Sequence, residues 1–123
     1  MTMLVDHPRN QSPLFDDAGL RQWTEDLTAE QVKDILAKVP QDCRSAIREI
    51  KTAIEANNMP TARRIAHRVK GMASNLGATR LAEAARAIEL GPEAAAEHAG
   101  RLRHLGIVVD ETSDAIAGLC NAL

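Results

Sequence analysis

The chain of 123 residues has no tyrosine, a single phenylalanine and a single tryptophan. Sheets favour aromatic and β-branched side chains, and a scarcity of them argues against an all-β fold. It also argues against a surface that stacks nucleic-acid bases. The formal net charge is only −2, so bulk charge attracts neither nucleic acid nor an anionic membrane. No apolar run approaches the ~20 residues needed to span a bilayer. Met1–Val5 is apolar, but Asp6, His7, Pro8 and Arg9 end that run at once, unlike a secretory signal. A cytoplasmic location is therefore expected. The two cysteines, Cys43 and Cys120, follow no metal-ligand spacing and read as small, partly buried residues of a reducing compartment.

What is abundant is alanine, with leucine, isoleucine and valine at helical spacing. A domain of this size hides roughly two-thirds of the surface its unfolded chain exposes, enough for one modest core. Residues 1–14, with Pro8 and Pro13, read as a flexible leader, and residues 15–123 as one domain. Asp16 or Asp17 caps a first short helix carrying Leu20, Trp23 and Leu27, with Phe15 and Trp23 as core anchors. Thr28 and Gln31 have the spacing of a capping box, and the helix they open is expected to stop at Pro40. A further helix ends at Asn57-Asn58. Another runs from Pro60 to about Leu76, with Gly77 as its stop, and the next from Ala78 to Leu90. Gly91-Pro92 makes a break, and a last helical stretch is expected to run from Pro92 towards Leu119, with a kink near Gly106. Short links favour antiparallel neighbours. The expected fold is all-α: an antiparallel up-and-down four-helix bundle with short N-terminal covering helices.

The chemistry concentrates between Ala62 and Gly77. At about 100° per residue, Ala62, Ile65, Val69, Met72 and Leu76 form one apolar stripe, and His67 falls opposite it, towards solvent. Arg63, Lys70, Gly71 and Ser74 surround it at helical neighbour spacings, with Arg64 and Arg68 at the border. Gly71 in mid-helix costs about 1 kcal/mol relative to alanine. Its bare backbone leaves room for another molecule to reach the imidazole. The cations favour an anion beside the ring. An imidazole attacking an acyl phosphate needs little more than positioning and such cations.

The run Ala66-His67-Arg68-Val69-Lys70-Gly71, then Asn75-Leu76-Gly77-Ala78, Leu81 and Ile88-Glu89, resembles the histidine-containing phosphotransfer (HPt) domain family. The resemblance covers residues 61–90 specifically and fits the layout of residues 16–120. It implies a four-helix bundle acting as a phosphocarrier in a multistep two-component phosphorelay, moving a phosphoryl group between receiver-domain aspartates. By match, His67 would accept the group through Nε2, Lys70 would stabilise it, Gly71 would clear space for the receiver, and Gly77 would mark the turn after the histidine helix. Arg63, Arg64, Arg68, Ser74 and Asn75 are expected to form a docking rim, with Arg80 added to the basic cluster. The resemblance implies response-regulator receivers and a hybrid histidine kinase as partners. Mg2+ is expected only in the receiver, and no cofactor or metal in this chain. A monomer is expected, with no nucleic-acid or membrane partner.

The alternative is a non-catalytic helical adaptor of the same fold that binds a receiver or another protein without accepting phosphate. A sensor-kinase dimerisation domain fits less well. Arg68 stands where an acidic residue would follow the kinase histidine, and no glycine-rich nucleotide segment is present. His98 and His104, six apart on the last helix, are expected to be solvated, as is His7 in the leader.

Overall fold

The computed structural model describes residues 14–123. The expected leader, with His7, lies outside the described residues apart from Leu14. Five α-helices follow in order: α1 (Asp17–Thr24), α2 (Ala29–Glu55), α3 (Met59–Leu76), α4 (Thr79–Glu89) and α5 (Ala99–Ala122), the last preceded by a 3₁₀ turn, Ala95–His98. There is no strand among the described residues. Helix α2 packs on α3 and α5, and α4 packs on the same two, which closes a four-helix bundle. The pairs Arg68–Glu49, His67–Glu89 and Arg80–Glu111 each lie well back along both helices from the link that joins them, so consecutive helices of the bundle run antiparallel. The covering layer is one short helix, α1, laid against α3.

Local signals set most boundaries. Asp16 caps α1 by accepting from Gly19 N–H at 3.2 Å. Thr28 and Gln31 close the full capping box at the start of α2. Asn57, at φ 58°, ends α2 with paired bonds from Asn58 N–H to Ala53 O and from Asn57 N–H to Ile54 O. Asn58 then caps α3 at Thr61 N–H, with Pro60 in its first turn. Gly77, at φ 78°, repeats the stop: Ala78 N–H reaches Ala73 O at 2.8 Å and Gly77 N–H reaches Ser74 O at 3.2 Å.

Two sequence expectations need correction. Pro40 does not stop a helix; α2 runs through it to Glu55. A proline inside a helix costs about 3 kcal/mol. The apolar stripe Val32, Leu36, Val39, Cys43, Ala46, Ile50 and Ala53 is buried and continuous across it. Burying each such large side chain contributes about 1.5–3 kcal/mol, so the stripe outweighs the break. The last helix does not start at Pro92. Residues 91–94 form a turn, and α5 then runs without interruption past Gly106. In the run Ile107-Val108-Val109, Ile107 is exposed and both valines are buried.

The core combines Leu36, Ile50, Leu81, Ile88, Leu105, Val108 and Val109 with small residues on α3 and α4, among them Ala62, Ala66, Ala73, Ala84 and Ala85. Alanines on facing helices let the axes approach closely. Phe15 and Trp23 pack on this core, and the indole N–H of Trp23 donates to Leu76 O at 2.8 Å. Asp16 N–H donates to Gly77 O at 2.7 Å. The cover is thus tied to the C-terminal end of the histidine helix.

Candidate functional site

Helix α3 carries Ala62, Ile65, Ala66, Val69, Ala73 and Leu76 on its buried face. That pattern rotates His67 outward, and its side chain is 63% exposed. Nothing lies within 4 Å of where a Gly71 Cβ would stand. The helix surface one turn beyond the imidazole is therefore bare and open.

The imidazole is nevertheless held. Its Nδ1 lies 2.5 Å from Oε2 of Glu89, the last residue of α4. The other carboxylate oxygen, Oε1, lies 3.2 Å from Lys70 Nζ. Glu89 thus bridges His67 and Lys70 from the neighbouring helix. Burial pushes the Glu89 carboxyl up, but its bonds to His67 and Lys70 and their charges outweigh that and hold it below its ordinary value. An ionised carboxylate only accepts, so Nδ1 carries the proton and donates. In the neutral ring the lone pair is then on Nε2, the nitrogen remote from Glu89. The arrangement presents a nucleophilic nitrogen with a cation near by and open helix surface beside it.

Of the expected rim, Arg64, Arg68, Ser74 and Asn75 are exposed on α3. Arg64 donates to Thr61 Oγ1, and Arg68 makes a loose 3.8 Å ion pair with Glu49 of α2. Arg63 is differently placed: its guanidinium is spent on Glu93, at 2.9 Å, and on the carbonyls of Gly91 and Pro92. Arg80 does not join the surface cluster. It is buried at 9% exposure and paired with Glu111 of α5, because its position on α4 faces that helix. His98 is not solvated; it is fully buried, and its Nε2–H donates to Pro92 O at 2.7 Å. His104 is exposed. Among the described residues no group of His, Cys, Asp and Glu could hold a metal ion. Cys43 is buried, and burial pushes its thiol up to about 11, so it is no nucleophile near neutrality.

Sequence reasoning missed the role of Glu89. The residue stood in the quoted motif with no role assigned to it. Its signal is a carboxylate at the C-terminal end of a helix, where the dipole disfavours negative charge. No helix among the described residues is long and apolar enough to cross a membrane. The family model described as Hpt domain matches residues 34–122. No curated protein and no solved structure matches the chain.

Proposed function

The chain belongs to the Hpt domain family, whose members act in histidine phosphotransfer, and from that premise we propose that His67 is the phospho-accepting residue of a carrier between receiver-domain aspartates. The observation that carries this reading is the His67–Glu89–Lys70 bridge, which occupies Nδ1 and so leaves Nε2 to carry the lone pair of the neutral ring. The Nε2 lone pair attacks the phosphorus of an aspartyl phosphate. The N–P bond forms as the acyl phosphate P–O bond breaks, and that electron pair returns to the receiver's aspartate as carboxylate. Nδ1 keeps its proton, and the positive charge gained by the ring is met by the Glu89 carboxylate. Lys70, on the same carboxylate, stands ready to meet the added phosphoryl charge. Reversal onto a second aspartate completes the relay.

Gly71 gives the incoming receiver its clearance, and Arg64, Arg68, Ser74 and Asn75 form the rim it meets. The receivers belong to response regulators and to a hybrid histidine kinase, and the divalent ion of the reaction arrives with the receiver. The chain acts as a monomeric phosphocarrier and not as a kinase.

The test mixes the protein with phosphorylated receiver domains, without kinase or ATP, and follows label. Wild type is expected to gain acid-labile, base-stable label, and His67→Gln none. Binding without label across a broad receiver panel would replace the carrier with an adaptor.

A further inference from the structure

Glu89 occupies a position that its own helix does little to secure. It is the final residue of α4, where the helix closes on the bonds from Leu90 N–H to Arg86 O at 2.9 Å and from Gly91 N–H to Ile88 O at 3.2 Å, and helix ends fray more readily than their middles. Its charge also faces the unfavourable end of the helix dipole. The chain immediately after it is anchored from outside. Arg63, one turn before His67 on α3, donates through Nη2 to Gly91 O at 3.2 Å and Pro92 O at 3.3 Å. Its Nη1 meets Glu93 Oε1 at 2.9 Å. From the other side, the buried His98 gives its Nε2–H to the same Pro92 carbonyl. The turn is tight as well: a Cβ on Gly91 would stand 2.7 Å from His98 Cε1 and 2.8 Å from Ala87 O.

We propose that Arg63 is a positioning residue for the phospho-accepting imidazole: by fastening the turn two residues beyond Glu89 to the helix that carries His67, it keeps the Glu89 carboxylate on Nδ1. Glu89 and His67 are then referenced to one helix, α3, rather than to two helices free to shift against each other. A guanidinium suits the task, because its planar fork reaches two carbonyls and a carboxylate at once. This distinguishes Arg63 from Arg64 and Arg68, which stand on the same helix and take no part in the turn. The inference rests on the carrier reading of His67.

The experiment uses the full chain as wild type, Arg63→Gln, Arg63→Lys, Glu93→Gln, Glu89→Ala and the double variant Arg63→Gln/Glu89→Ala. Two quantities are read: the tautomer of His67 from its imidazole 15N shifts, assigned by their loss in His67→Gln, and the rate of transfer from a phosphorylated receiver. Arg63→Gln is expected to move His67 from the Nδ1–H form towards the mixture seen in free imidazole, and to slow transfer about three- to tenfold. Arg63→Lys and Glu93→Gln should fall between it and wild type. In the Glu89→Ala background, Arg63→Gln should add less than about twofold, since its effect passes through the missing carboxylate. A folded Arg63→Gln with an unchanged tautomer overturns the proposal. So does an undiminished slowing when Glu89 is already absent, which would make Arg63 a docking cation. Should Arg63→Gln not fold by circular dichroism, the graded Arg63→Lys and Glu93→Gln variants carry the same comparison. A tautomer that responds to Arg63 in a wild-type protein that accepts no phosphoryl group would uphold the positioning role and overturn the carrier reading alone.

Discussion

Gly71 separates what the protein needs for its own stability from what an incoming partner needs. It sits inside α3 with open space where a side chain would stand. Alanine there meets no neighbour and loses less backbone entropy on folding. Gly71→Ala is therefore expected to stabilise the protein by about 0.5–1 kcal/mol, measured by urea unfolding. The larger Gly71→Gln should slow transfer from a phosphorylated receiver while leaving the His67 tautomer unchanged. A stabilised Gly71→Ala beside a slowed Gly71→Gln would mean that the glycine is kept for a partner and not for the fold. Unimpaired transfer in Gly71→Gln would remove the clearance role. Glu89 shows the reverse case, a residue whose own local setting is poor and whose worth lies in the side chains across from it.

At the scale of an element, α2 shows a local rule overridden by packing. Pro40 forfeits the backbone bond to Leu36 O and crowds the preceding turn, yet the helix continues through it. Pro40→Ala should restore that bond and raise stability by about 1–3 kcal/mol in urea unfolding, with no change in transfer. No gain, or a loss, would show that Pro40 sets the path of α2 across the bundle. Helix α3 obeys its local signals closely: Asn58 and Pro60 open it and Gly77 closes it. Here a side chain on Gly77 would be strained by φ 78° and would also stand 2.8 Å from Leu20 N. The one glycine thus ends the histidine helix and seats α1 on it. The stops at Asn57 and Gly77 were legible in the sequence because they depend on residues within one turn. The passage through Pro40 was not, because it depends on the sum of contacts that α2 makes with α3 and α5.

For the whole molecule, the titration of Glu89 ties the site to global stability. Its folded-state value is depressed below the ordinary 4.5, so the unfolded chain takes up the proton first as the solution is acidified. The stabilisation is fully present near neutrality and is lost as the pH falls past 4.5 through the lower folded value. Glu89→Gln removes this contribution. Its stability is therefore expected to decline less than that of wild type on acidification, as read by urea unfolding at a series of pH values. Parallel decline would show that the bridge contributes nothing to global stability and serves only to orient the ring.

Spacing along the one chain was enough to read that the fold is helical, that Asp16 and Thr28 open helices, that Asn57 and Gly77 close them, and which face of the histidine helix is apolar. It also placed His67 on the outer face of α3 with Lys70 and Gly71 one turn on, since helix geometry fixes those neighbours. What meets the imidazole depends on how the helices pack. Glu89 reaches His67 across 22 residues of sequence, Arg63 turns from a rim cation into a fastening for the turn beyond α4, and Arg80 and His98 pass from surface to interior. Those outcomes depend on the rotation and register of one helix against another. Apolar periodicity reports that a face is buried, but it does not specify which side chains of two packed helices come opposite each other at the boundary of that face.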